Sequence, residues 1–122
     1  MFKQFIGLVL AGIFTAPAFS LAQTKTLTWK IQSFDKKIVD VQFYSTNRKH
    51  VWPTNSTVYS IDDYGVHTYR ISCIENEKIC YGAWVRGKSS SYWGAGKDGK
   101  HRCNDCCYTC NGGTTPVKKL ND

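Results

Sequence analysis

Apolar and polar side chains alternate along this chain in short runs, and the alternation has the two-residue period of strands. Leu27, Trp29 and Ile31 are separated by polar residues, as are Val39, Val41 and Phe43, so each trio is expected to face one core. Val51-Trp52-Pro53 marks an edge or a loop, because proline has no amide hydrogen for a ladder. Val58 to Ile61 reads as a short strand. Asp62-Asp63-Tyr64-Gly65 then reads as a turn in which a carboxylate bonds nearby backbone. His67, Tyr69, Ile71 and Cys73 share a face, and Ile79 to Val85 is a largely apolar strand. Tyr69 and Trp84 are expected to fill the core, and Glu75-Asn76-Glu77-Lys78 reads as a hairpin tip. From Arg86 onwards Gly87, Gly94, Gly96, Gly99, Gly112 and Gly113 argue against any long regular element. The pattern predicts an all-β fold, a small antiparallel sandwich or barrel-like domain with a loop-rich, disulfide-bridged C-terminal segment.

The amino terminus breaks this pattern. Lys3 precedes an apolar run from Phe5 to Phe14, and Ser20 and Ala22 provide the small residues of a cleavage site, which is the layout of a signal peptide over residues 1–22. The run is about half the roughly 20 residues needed to span a bilayer, so it is not read as a membrane anchor. Cleavage after Ala22 would send a chain without a transmembrane segment to the periplasm or the medium. Residues 23–115 are long enough for a single β-rich domain. The polar residues 116–122 read as a flexible tail.

Charge adds one constraint. The chain has 16 basic and 9 acidic side chains; without Lys3 the balance is 15 against 9, or +6. That excess favours anionic partners such as phosphorylated glycolipid, acidic glycan or nucleic acid, although the scattered basic residues also serve solubility. No feature points to specific nucleic-acid recognition.

All six cysteines follow the leader, and an exported chain meets an oxidising compartment, so Cys73, Cys80, Cys103, Cys106, Cys107 and Cys110 are candidates for a disulfide framework. Cys73 and Cys80 flank the expected hairpin tip and could staple it at about 5.5 Å between Cα atoms. Adjacent Cys106 and Cys107 are expected to bond to different partners. Two other readings remain open. His101, Cys103, Cys106, Cys107 and Cys110 offer five ligands within ten residues for Zn or Cu, in a spacing unlike common structural zinc sites. Cys103-Asn104-Asp105-Cys106 or Cys107-Tyr108-Thr109-Cys110 could form a redox pair, but no helix is predicted to follow.

Cys80-Tyr81-Gly82-Ala83-Trp84, Tyr92-Trp93-Gly94-Ala95-Gly96 and the Cys103–Cys110 cluster, with Phe43-Tyr44-Ser45 and Val51-Trp52-Pro53, resemble a group of small exported bacterial proteins of unassigned function. The resemblance runs from about Val41 to Gly113 and implies a shared domain. It implies no activity, cofactor or catalytic residue.

Aromatic residues interleaved with cations supply the candidate binding surface. Trp52, Tyr92 and Trp93 neighbour Arg48, Lys49, His50, Lys88 and Lys97, a combination suited to ligands bearing negative charge or hydroxyl groups, and Tyr64 is among the other aromatics near the strand ends. Asp62, Asp63, Glu75, Glu77, His50, His67 and His101 fall into no pattern that fixes a nucleophile, a base and an orienting group. Gly94-x-Gly96-x2-Gly99 has the spacing of a dinucleotide fingerprint without the helix it requires. Asn55-Ser56-Thr57 fits a glycosylation sequon. These readings converge on an exported, non-enzymatic binding or interaction domain, without cofactor, for an envelope glycan, an anionic lipid or a protein partner. The alternative is a soft-metal-binding protein using the C-terminal cysteines.

Overall fold

The computed structural model describes residues 23–121. The expected leader and its cleavage point lie outside these residues. Among the described residues, no helix is long and apolar enough to cross a membrane. The structure is nearly all β. Strands β1 (Thr24–Ser33), β2 (Val39–Ser45), β3 (Val51–Trp52), β4 (Tyr59–Ile61) and β5 (Val66–Ile74) come first. They are followed by β6 (Lys78–Val85), β7 (Lys88–Gly94), β8 (Cys107–Thr109) and β9 (Thr114–Leu120).

Two sheets face each other. The first has the order β9-β1-β5; the second runs β3-β2-β6-β7, with β4 also on β2 and β8 also on β6. Every pairing is antiparallel except that of β9 with β1. The alternating trios do face the core: Leu27, Trp29 and Ile31 from β1 and Val39, Val41 and Phe43 from β2 are all buried. Trp29 joins the layers. Its ring lies 4.9 Å from Phe43, 5.8 Å from Tyr81 and 5.4 Å from Tyr108, centroid to centroid, all three from the second sheet.

β6 is buried along both faces. Ile79, Tyr81 and Ala83 enter the shared core, while Gly82 and Trp84 fall on the outer face by alternation. Tyr69 packs against the core as expected; Trp84 is buried outside it, opposite Tyr92 in the ladder. Loops cover this outer face. The Gln42 side-chain amide donates to the carbonyls of Thr54 and Thr57, which ties down the segment after β3. On the other side the Tyr44 hydroxyl reaches the Gly96 carbonyl at 3.0 Å. Gly82 permits that approach, since a Cβ there would collide with the Gly96 carbonyl and the Tyr44 ring. The glycines of the Cys80–Trp84 and Tyr92–Gly96 motifs thus have a packing role.

Three expectations need correction. Glu75–Glu77 is not a hairpin tip, because β5 and β6 belong to different sheets and the turn carries the chain between them. Cys73 and Cys80 therefore do not face each other. The bridges are Cys73–Cys110, Cys80–Cys107 and Cys103–Cys106, so Cys106 and Cys107 do take different partners. Cys80 and Cys107 are direct cross-strand neighbours, and Cys73–Cys110 links the first sheet to the segment after β8. Second, the glycine-rich segment still contains β7, a seven-residue strand that is polar because it lies at a sheet edge. Third, residues 116–120 are not a free tail. Val117 to Leu120 pair one by one with Lys30 to Ser33, and Leu120 is fully buried.

This last contact has a measurable consequence. Leu120→Ala should lower unfolding stability in urea by about 2–4 kcal/mol, as for other buried leucines. Lys119→Ala, its exposed neighbour, should change stability by no more than about 0.5 kcal/mol.

Candidate functional site

The structure separates the aromatic and basic residues that the sequence groups together. Trp52, Arg48 and Lys49 lie on or beside β3, at one edge of the second sheet; Tyr92 and Trp93 lie on β7, at the opposite edge, and Lys97 lies in the loop after it. The β3 edge also carries clefts, of about 450 and 350 Å³, but the polar groups of Trp52 and Arg48 there are already engaged. Trp52 is only 7% exposed, and its indole N–H donates to the Ser72 carbonyl at 2.9 Å, across to the first sheet. His50 packs edge-on against its ring at 4.4 Å. Arg48 is also engaged, because its Nε and Nη2 donate to the two carboxylate oxygens of Glu77. Lys49 is exposed and forms no ion pair within the described residues.

Glu77 is the most constrained ionisable group of that edge. Its carboxylate also accepts from the Ser45 hydroxyl at 2.5 Å and from the Ile74 amide at 2.9 Å. Burial opposes its ionisation, but the hydrogen bonds from Arg48, Ile74 and Ser45 outweigh burial and hold the carboxyl at about 2, below its ordinary 4.5. The same contact raises the pKa of Arg48.

The β7 edge is open. A cleft of about 420 Å³ is lined by Phe34, Lys36, Lys37, Tyr64, Val85 and Lys88, with Asp35 and Ser91 at one side. A second cleft, about 360 Å³, is lined by Asp35, Ser90, Ser91, Tyr92, Trp93 and Asn121. The two share Asp35 and Ser91, so they lie side by side. Their walls come from the β1–β2 loop, the turn before β5, the end of β6, β7 and Asn121 after β9. Tyr64, Phe34 and Tyr92 are 57%, 46% and 41% exposed, well above what packing alone would leave. Tyr92 is nonetheless held in place, its ring stacked on His101 at 3.8 Å with 9° between planes. Trp93 packs against the core and donates its indole N–H to the Asn121 carbonyl at 3.0 Å.

Electrostatics favour the same clefts. Lys36, Lys37 and Lys88 form no ion pair within the described residues. Nearby Arg86, in contrast, is bound to the sheltered Asp40 carboxylate at 2.7 Å and to the Ser60 hydroxyl at 2.6 Å. Tyr64, Tyr92, Trp93 and Lys88 are among the aromatic and basic residues that the sequence singles out. Phe34, Lys36 and Lys37 are not, although an aromatic inside the charged turn Phe34-Asp35-Lys36-Lys37 is a signal that could have pointed to them. Lys97 lines neither cleft.

The remaining candidates are scattered. His67 binds Asp63 on the surface through Nε2 at 2.7 Å, which with the Gly65 amide holds that carboxyl below its usual range. His50 packs on Trp52 and His101 on Tyr92. The proposed Zn or Cu ligands Cys103, Cys106, Cys107 and Cys110 are all in bridges, which leaves no thiolate among them for a soft metal. Comparison with models of known families, with curated proteins and with solved structures found no match.

The Glu77 pKa fixes a pH dependence. A carboxyl depressed in the folded state stabilises the fold fully above about 4.5 and loses that contribution as pH falls towards 2. Urea unfolding should therefore show a drop on the order of 2–3 kcal/mol from this group between pH 6 and pH 2. In Glu77→Gln, stability at pH 6 should fall by a similar amount and the acid slope should flatten.

Proposed function

We propose that the protein is an exported, non-enzymatic binding domain whose ligand is an acidic glycan of the cell envelope. The observation that carries this reading is the pair of neighbouring clefts beside β7: three lysines without ion-pair partners among the described residues share one with Phe34 and Tyr64, and Tyr92 lines the other. Aromatic faces stack on the apolar faces of sugar rings, and serine hydroxyls and lysine ammonium groups bond to ring hydroxyls and acid groups. Two open clefts side by side suit a chain of sugars better than a compact metabolite, which an enclosed pocket would surround. The net positive charge draws such a polyanion from a distance, with an attraction that salt weakens.

A second reading, docking on an anionic lipid surface, is favoured by one observation. Phe34, Ile38 and Val66 are exposed apolar side chains at the same end of the molecule as Lys36 and Lys37, a combination that could rest in a headgroup layer.

Binding to immobilised heparin, to polygalacturonate, to neutral dextran and to phosphatidylglycerol vesicles separates these readings. Capture by the two acidic polysaccharides is expected, weakened as salt is raised from low to well above physiological strength, with none by dextran. Lys36→Ala/Lys37→Ala/Lys88→Ala should weaken it about tenfold or more, roughly 1.4 kcal/mol, and Tyr92→Ala should weaken it as well. Lys49→Ala, at the opposite edge of the sheet, should leave it unchanged. Capture by vesicles alone would favour the lipid reading, and no capture by any of the four would sink both.

A further inference from the structure

The three disulfides have different structural duties. Cys73–Cys110 and Cys80–Cys107 join segments separated by 37 and 27 residues, and each ties a strand to the core. Cys103–Cys106 spans a separation of only 3 and lies in the irregular loop before β8, so it closes almost no chain. Opening it would leave both long-range bridges in place.

Its two sulfurs are also unequal. Cys106 is 2% exposed, and its Sγ packs 3.5 Å from the Sγ of Cys107, so the neighbouring bridge screens it. Its carbonyl is fixed by the Tyr81 amide at 3.0 Å. Cys103 is half-buried and reachable from solvent. Lys100, His101 and Arg102 directly precede it, and Asp105 is the single acidic residue between Lys100 and Cys106. Local positive charge favours a thiolate at Cys103 and attracts an approaching one.

We propose that Cys103–Cys106 is a thiol–disulfide exchange site that takes electrons from an external dithiol while the other two bridges hold the fold. One thiolate of the dithiol attacks Cys103 Sγ; the Cys103–Cys106 bond breaks and its electron pair leaves on Cys106, which takes a proton from solvent. The second thiol of the dithiol then attacks its own sulfur in the mixed disulfide and releases Cys103. Two electrons and two protons pass to the cysteine pair, and the dithiol leaves as a disulfide.

The test is a time course of the oxidised protein with dithiothreitol at mildly alkaline pH, without denaturant, quenched with N-ethylmaleimide and mapped by peptide mass spectrometry. Cys103 and Cys106 should be alkylated at least about tenfold faster than the other four cysteines, with near-ultraviolet circular dichroism unchanged at that stage. Simultaneous opening of all three bridges, earlier opening of another, or reduction only with loss of the folded signal would overturn the proposal. A second measurement compares the single thiols left by Cys106→Ser and Cys103→Ser in their reaction with an aromatic disulfide reagent. Cys103 should react about tenfold faster, and equal or reversed rates would overturn the assigned direction of attack. If either variant fails to fold, the wild-type time course decides alone.

Discussion

The buried carboxylate of Glu77 is the point on which the two sheets depend. The chain must leave β5 in one sheet and enter β6 in the other within three residues, and Glu77 sits at that crossing. Its carboxylate gathers the end of β2 through Ser45, the following loop through Arg48 and the end of β5 through Ile74. Its carbonyl accepts the Cys110 amide at 2.7 Å, while the Asn76 amide returns a bond to the Cys110 carbonyl at 2.8 Å. A lone carboxylate so placed would cost several kcal/mol of desolvation. Four donors, two of them from the partly exposed Arg48 guanidinium, remove that cost, and they make the crossing specific, since no other side chain of the turn can reach all of them.

The bridge pattern follows from the same crossing. Cys73 lies just before the turn and Cys110 is already docked on it by two backbone hydrogen bonds, so their sulfurs meet across the gap between the sheets. Cys80 lies just beyond the turn, where the β8 ladder sets Cys107 directly opposite. In the chain-entropy account each of these bridges contributes about 3–4 kcal/mol, whereas one closing a loop as short as Cys103–Cys106 contributes roughly half as much. In a domain of about a hundred residues, whose core is small for its surface, the two long-range bridges matter accordingly more.

What the sequence made legible, and what it did not, divides along the same physical line. Alternation reports which face of a strand is buried, so the pattern alone assigns Leu27, Trp29, Ile31, Val39, Val41 and Phe43 to a core. Alternation carries no information about which strand lies alongside. The crossing at Glu75–Glu77 therefore looked like a hairpin, and Cys73 and Cys80 looked like neighbours. Val117 and Leu120 are too few to register as a pattern, and β9 exists because β1 offers it a ladder. Trp52 beside Arg48 and Tyr92 beside Trp93 are indistinguishable as sequence. Their partners are remote along the chain: the Ser72 carbonyl and the Glu77 carboxylate engage the first pair, while Tyr92 stacks on His101 with 41% of its surface still exposed.

The two edges of the second sheet are thus fitted for opposite tasks. Where a cation stabilises the fold, it is locked against a sheltered carboxylate: Arg48 on Glu77 at one edge, Arg86 on Asp40 near the other. A guanidinium suits that use, because its planar fork satisfies both carboxylate oxygens at once. Lysines, compact and strongly hydrated, remain unpaired among the described residues, and three of them line the cleft beside the one whose Tyr92 and Trp93 are held by His101 and Asn121. A ligand meeting these clefts would find rings already oriented and ammonium groups not yet committed, so little ordering would remain to be done on binding. At the β3 edge, engaging Arg48 would mean drawing it from Glu77 and leaving a buried carboxylate unpaired, and Lys49 is the cation there that is uncommitted among the described residues.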